Sequence, residues 1–376
     1  MRPNNSFTLL IMLIASVLYS CAKEPDKPDL ILNDTYSFDH FKGNKMMIIT
    51  VNRYLDELQP FILYKRSLGM IVEVNTSSAL QGVEAIKSAI QQKYSNGGLQ
   101  FIILVGDIED VPSPNYQGAP SDPSYTLLEG DDLTGDALIS RISVKNNSEL
   151  KNIINKLLRY EKGEFETKNW ISNAIVVGTH EFDGVNHTSG IFNIMKDQTL
   201  YFKNVVQILQ TDQNPHAEFM EAIENQGANM VVYNSHGSES GFHSIEFSNT
   251  NIPELNTYGN SFPFIHGAAC STGTFDWGGG DCFAEAILKT GTFEKPAGAI
   301  GMLAFSRSTN AQPAMMAQRI AFKELYYEPK ITTIGELCYF SGLLAMKELN
   351  VSESEPLYKH WHLFGDCSAP IWKQIP

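Results

Sequence analysis

Apolar and polar positions fall into alternating blocks along most of the chain. Met46-Met47-Ile48-Ile49-Thr50-Val51 is an almost unbroken apolar run that predicts a buried strand. Residues 56–68 then carry Leu58, Phe61 and Ile62 at helical spacing, and Gly69 stops them. The pair repeats as a strand over 70–74 and a helix over 83–94, ended by Asn96-Gly97-Gly98. Phe101-Ile102-Ile103-Leu104-Val105 is apolar at every position, as a parallel strand covered on both faces must be. It runs into Gly106-Asp107, the kind of strand end where α/β ligand crevices lie. Residues 107–136, rich in Pro, Gly, Ser and Asp, predict loop and a short hairpin. A helix follows over 149–160, with Asn147 or Ser148 as its cap, and the polar stretch 161–169 predicts a link between two halves.

The alternation restarts with a strand over 174–177, a helix over 192–202 and a strand over 205–209. Pro215 opens a further helix and Gly227 closes it. Two strands with unusual endings come next: 229–234 runs into Ser235-His236-Gly237, and 262–269 runs into Cys270. A strand over 299–304 and helices over 314–326 and 335–349 complete the pattern, with no internal repeat. These blocks predict an α/β fold of open, mainly parallel sheets flanked by helices. They fall into two side-by-side subdomains, 45–165 and 166–376.

The start of the chain breaks the pattern. Arg2 is followed by an apolar stretch over 7–18, too short to span a bilayer comfortably, and then by Leu18-Tyr19-Ser20-Cys21. That ending looks like a bacterial lipobox, so residues 1–20 are read as a signal peptide and Cys21 as a lipidated first residue. Residues 21–44, proline-broken and polar at first, are then a tether. Ala22 rather than aspartate after the cysteine favours the outer membrane, facing the periplasm or the cell surface.

Composition narrows the partners. With 28 basic against 42 acidic residues the formal charge is −14, which excludes a nucleic-acid partner because phosphate binding needs a basic face. Beyond Cys21 there remain Cys270, Cys282, Cys338 and Cys367, with no spacing that fits zinc or a disulfide framework. The histidines His180, His187, His243 and His266 also lack paired ligand spacing.

The chemistry concentrates on the two strand endings. C-terminal strand edges of an open α/β sheet face one crevice, so His236 and Cys270 are expected to share it. An imidazole beside a thiol makes the thiolate available and then protonates the leaving amine. The N–H groups of Gly237 and Cys270 are placed to form an oxyanion hole.

Asn234-Ser235-His236-Gly237-Ser238-Glu239, then Pro263-Phe264-Ile265-His266-Gly267-Ala268-Ala269-Cys270, then Asp281-Cys282-Phe283-Ala284-Glu285-Ala286 resemble the gingipain family of cysteine peptidases. So do Leu104-Val105-Gly106-Asp107, Ser121-Asp122, Ile139-Ser140-Arg141-Ile142 and Leu363-Phe364-Gly365-Asp366. The resemblance implies a caspase-like fold, protein or peptide substrates, His236 as general base and acid, and Cys270 as nucleophile. It also implies Glu181 as the carboxylate that orients the histidine, and a substrate pocket near Ala268, Arg307 and Asn310. Only Asp183 offers a carboxylate near where arginine- and lysine-cutting members carry one, its position does not match theirs, and no Trp lies between Phe305 and Pro313 to form their aromatic lid, so a preference for basic side chains is not expected. Arg307 would instead favour an acidic one. The chemistry needs no cofactor, and a structural calcium is expected at Asp107, Asp131 and Asp132, since calcium takes loop carboxylates. The form expected is a lipoprotein without the family's long propeptide or trailing immunoglobulin-like domain. Two other functions use the same residues: a sortase-like transpeptidase with the Cys/His pair, and a non-catalytic surface binding module.

Overall fold

Every apolar run that predicts a strand forms one. The computed structural model describes residues 41–373 except 42, 182–183, 256–260 and 350. Ten strands build the main sheet: β1 (Lys45–Thr50), β2 (Ile71–Thr76), β3 (Leu99–Val105), β4 (Leu138–Ile142), β5 (Asn173–Gly178), β6 (Asn204–Leu209), β7 (Met230–Asn234), β8 (Phe264–Ala268), β9 (Gly301–Phe305) and β10 (Trp361–Phe364). The helices are α1 (Leu55–Ser67), α2 (Val83–Ser95), α3 (Asn147–Lys162), α4 (Gly184–Asp197), α5 (Pro215–Glu221), α6 (Phe283–Lys289), α7 (Ala311–Ile320), α8 (Ile334–Glu348) and α9 (Val351–His360). Cys21 lies outside the described residues, as does Asp183.

The strand order is β2-β1-β3-β4-β10-β9-β8-β7-β5-β6. The two expected halves are therefore the two flanks of one sheet. The last strand, β10, closes the gap between them, pairing antiparallel with β9 and parallel with β4 through Phe364 and Arg141. Alternate side chains of the central strands enter opposite cores. Ile48 and Ile103 pack with Phe61 and Leu157 under α1 and α3, while Met47, Ile49, Ile102 and Leu104 pack with Ile86 and Ile90 of α2.

Several boundaries differ from expectation, each for a local reason. The cap of α3 is Asn146, whose side chain accepts from the Glu149 N–H while Glu149 accepts from the Lys145 N–H, so the pair fixes the start two residues earlier than predicted. Helix α4 begins at Gly184, eight residues before its apolar spacing shows, because Gly184, Thr188, Ser189 and Gly190 are weak formers carried by packing on the sheet. Helix α9 was not legible at all, with Pro356 inside it. No helix among the described residues is long and apolar enough to cross a membrane.

Buried ion pairs occupy the family motifs of the amino-terminal flank. Arg141 lies against Asp122 with two bonds of 2.7 Å and donates to the Gly106 and Val111 carbonyls at 3.1 and 3.0 Å. The Asp122 N–H in turn donates to His362 Nε2 at 3.0 Å. Lys65 of α1 sits between Glu161 and Asp366, each at 2.7 Å, and so ties α1 and α3 to the chain after β10. Burial, with Asp366 beside it, holds the Glu161 carboxyl above its usual range despite Lys65.

Two buried imidazoles make the fold sensitive to acid. His266 of β8 is enclosed by Phe322 and Trp361, with ring centroids 5.3 and 5.2 Å away, and burial drives it down to about 3. Burial likewise drives His362 to about 4, with Nδ1 directed at the His360 carbonyl, 3.0 Å away. Unfolded, both take a proton near 6.5; folded, they resist it until well below that. Their stabilisation is thus complete above pH 6.5 and is lost as pH falls, each costing about 1.4 kcal/mol per pH unit in that window. The urea midpoint is expected to drop between pH 7 and pH 5, and His266→Phe to flatten that dependence.

Candidate active site

Strands β5, β7 and β8 are parallel neighbours and end level with one another. Gly178 pairs with Asn234, and Asn234 pairs with Ala268. Glu181 follows three residues after the first of these ends, His236 two after the second, and Cys270 two after the third. The common register therefore delivers a carboxylate, an imidazole and a thiol to one edge of the sheet.

The turns after the strands complete the placement. Glu181 Oε2 lies 2.8 Å from His236 Nε2, both side chains being roughly half exposed. A carboxylate bonded at Nε2 keeps the proton there in the neutral ring, which makes Nδ1 the basic nitrogen. The hydrogen bond from His236 holds the Glu181 carboxyl below its usual range. The hydroxyl of buried Tyr233 donates to the His236 carbonyl at 2.7 Å and meets Ser244 Oγ at 2.9 Å, so the histidine turn is pinned from inside the core. Its ring stacks on Phe242 at 3.6 Å.

Gly237 shows how closely the histidine turn meets the thiol turn. A Cβ there would stand 2.8 Å from Thr272 Cγ2, 2.9 Å from Ala269 Cβ and 2.9 Å from the Cys270 carbonyl oxygen. Only glycine permits that approach. After Cys270 the backbone turns sharply: Ser271 has φ 58°, a left-handed conformation that costs a non-glycine residue about 1–3 kcal/mol. It is held by the Ser271 N–H donating to the Arg307 carbonyl at 3.2 Å and by Thr274 Oγ1 donating to the Ser271 carbonyl at 2.9 Å. Cys270 Sγ receives the Thr309 N–H at 3.4 Å.

Helix α6 grips both turns. Its first free N–H groups have outside acceptors: Phe283 donates to the Glu239 carbonyl at 2.7 Å and Ala284 to the Thr272 carbonyl at 2.9 Å. Glu285 locks that end by accepting from the Cys282 N–H at 2.8 Å and from Ser143 Oγ at 2.5 Å. At the other end α3 supplies the caps. Asn152 Nδ2 donates to the Lys289, Thr290 and Gly291 carbonyls, and Lys156 Nζ donates to Leu288 and Ala297 at 2.7 and 2.8 Å. Lys156 is fully buried without a carboxylate, and burial lowers it to about 7. The chemistry of Asp281-Cys282-Phe283-Ala284-Glu285 is thus mechanical, and Cys282 is a buried helix cap rather than a second nucleophile. Tyr233, Thr309 and Glu285 had no functional reading in the sequence; only a tyrosine closing an otherwise aliphatic strand beside His236 hinted at one.

Other expected residues fall differently. Ala268 is 7% exposed and packs in the hydrophobic core. Asn310 is exposed as the cap of α7, accepting from the Gln312 N–H. Arg307 makes a bidentate pair with Asp276 at 2.8 and 2.7 Å and also donates to the Gly118 carbonyl at 2.8 Å, so its charge is already matched. Asp107 accepts from the Ile108 N–H and faces Lys145 at 3.5 Å, while Asp132 accepts from the Thr134 N–H. Among the described residues no group of three His, Cys, Asp or Glu side chains is placed to hold a metal.

The profile of peptidase family C25 matches residues 39–372. The chain belongs to peptidase family C25. Gingipain R2 of Porphyromonas gingivalis is 25% identical over 352 residues, covering 89% of this chain and 47% of the relative. Lys-gingipain HG66 of the same species is 22% identical over 367 residues, covering 88% of this chain and 21% of the relative. The C25 chain thus spans about half the length, or less, of these curated relatives. The crystal structure of the Arg specific cysteine proteinase gingipain R superposes with a TM-score of 0.82 at 24% identity, covering 89% of this chain and 79% of that one. The fold is therefore the gingipain, caspase-like one.

The close approach at Gly237 yields a prediction for this C25 chain. Gly237→Ala must push the two turns apart. It is expected to lower the melting temperature by several degrees, as about 1–3 kcal/mol of overpacking does, and to slow alkylation of Cys270 in the folded protein. Calorimetry and mass spectrometry of the Cys270 peptide check it.

Proposed function

We propose that the chain is a cysteine endopeptidase. The observation that carries this reading is the level ending of β5, β7 and β8, which brings Glu181, His236 and Cys270 to one edge with a 2.8 Å bond between the first two. In this reading Cys270 attacks the scissile carbonyl as a thiolate and forms an acyl-enzyme. His236, with its proton held on Nε2 by Glu181, takes up the thiol proton at Nδ1 and passes it to the leaving amine. The N–H groups of Gly237 and Cys270 receive the oxyanion. Water then displaces the thiol with the same imidazole as base.

The relatives are called Arg specific and Lys-gingipain, but basic specificity does not carry over to this chain. Arg307, on the loop that meets the nucleophile, is positive and paired with Asp276. We therefore propose a preference for neutral side chains on the acyl side of the cut bond.

The test is cleavage of a mixed peptide library by the wild type and by Cys270→Ala under reducing conditions, with cut sites read by mass spectrometry. Cleavage by the wild type alone supports the reading, and cuts after arginine or lysine would overturn the stated preference. A wild type that joins peptides to added amines in place of cutting them would replace hydrolysis with transpeptidation.

The lipobox-like Leu18-Tyr19-Ser20-Cys21 supports a second proposal, that the protein is held at the outer membrane by lipid on Cys21. Cells fed a labelled fatty acid are expected to label the wild type and not Cys21→Ser; equal labelling of the two would sink the idea.

A further inference from the structure

Arg307 was expected to read substrate, yet its contacts point inward to the protein. Its guanidinium joins three segments. It pairs bidentately with Asp276 on the loop that follows the nucleophile, at 2.8 and 2.7 Å. It donates to the Gly118 carbonyl, 2.8 Å away, on the hairpin formed by Asn115–Tyr116 and Ala119–Pro120. It also donates to its own neighbour, the Ser306 carbonyl, at 2.7 Å. Meanwhile the Arg307 carbonyl accepts the N–H of left-handed Ser271, directly after Cys270. Two residues on, Thr309 meets the sulfur twice: its N–H donates to Sγ at 3.4 Å, and its carbonyl accepts from the thiol at 3.6 Å.

From this arrangement we propose that Arg307 is a positioning residue for the nucleophile: it anchors residues 306–309 so that the Thr309 N–H is aimed at Cys270 Sγ. The inference rests on Cys270 being the nucleophile. A planar guanidinium with two parallel bonds to a carboxylate fixes direction as well as distance, which a lone ammonium does not. When the thiol gives up its proton, the weak S–H donor to the Thr309 carbonyl is lost, and the Thr309 N–H is left as the donor that meets the charged sulfur. The charged groups around this loop are Asp276 and Glu239, which act on Arg307, His360, which Arg307 disfavours in its charged form, and the His236–Glu181 pair on the neighbouring strand ends. With Asp276 bonded and Glu239 near, Arg307 offers little charge to an incoming acidic side chain.

The experiment measures alkylation of Cys270 by iodoacetamide as a function of pH in the full chain, reading the modified Cys270 peptide by mass spectrometry, with the melting temperature followed in parallel. Cys282, Cys338 and Cys367 are buried and serve as internal references. Arg307→Gln is expected to raise the alkylation midpoint by about one pH unit, the worth of one hydrogen bond to a charged group. On any peptide the wild type cleaves, kcat is expected to fall about tenfold for the same reason, with KM nearly unchanged. Arg307→Lys is expected to recover only part of this. Asp276→Asn weakens the same pair from the other side and carries the same expectation, so the idea remains testable if Arg307→Gln fails to fold.

An unchanged midpoint in a folded variant overturns the proposal. If that variant also loses cleavage only of peptides with acidic side chains, Arg307 is a substrate reader. Because alkylation is read on Cys270 itself, a protein that cuts no peptide but shows the midpoint shift defeats the peptidase reading and leaves this one standing.

Discussion

The site depends on one constraint, the shared register of three adjacent parallel strands. A parallel ladder fixes which residues stand side by side, and a slip of one residue would turn every side chain to the other face. Because Gly178, Asn234 and Ala268 stand level, Glu181, His236 and Cys270 need only two or three further residues to reach the same edge of the sheet. The core enforces that register. Ile175, Val177, Val231, Tyr233, Ile265 and their neighbours are buried to within a few per cent, so misalignment would expose them or bury polar groups. Gln318 of α7 adds a cross-strand check by donating to both the Tyr233 and the His266 carbonyls, at 2.9 and 2.8 Å.

Around that edge, the turns are held by groups far away in the chain. Helix α6 is short, and a short helix has little stability of its own. It is useful here because both of its ends are tied: its N–H groups to the histidine and cysteine turns, its carbonyls to Asn152 and Lys156 of α3. The amino-terminal flank thus braces a site to which it contributes no reacting atom. The same logic explains Asp122, Arg141, Lys65 and Asp366. Each would be costly alone in the interior, and each is acceptable because its partners are fixed by rigid elements. Removing one partner would leave a buried charge uncompensated, which is a larger penalty than the pair itself is worth.

The sequence was most readable where the interactions are local. Apolar runs located eight of the ten strands of the main sheet, most plainly β3, which is buried at every position and so apolar almost throughout. Strands β4 and β10 were missed because Ser140, Arg141, Trp361 and His362 are polar or amphipathic, and their place in the sheet is supplied by partners such as Asp122. Helix α9 was missed because Pro356 contradicts helix propensity and tertiary packing overrides it.

For the site, the chain by itself determined the chemistry. A histidine and a cysteine, each closing a strand, are visible because strand ends are visible, and Gly237 marks the close approach. What only the tertiary structure decided was company and geometry. Ala268 packs into the core, and Asp107 and Asp132 accept from N–H groups of their own turns. Arg307 met Asp276, 31 residues away along the chain, so its charge is matched within the protein. Residue type and local spacing are properties of a segment and can be read from it. Which carboxylate neutralises which cation, and which N–H reaches a sulfur, depends on contacts between segments that register and packing alone bring together.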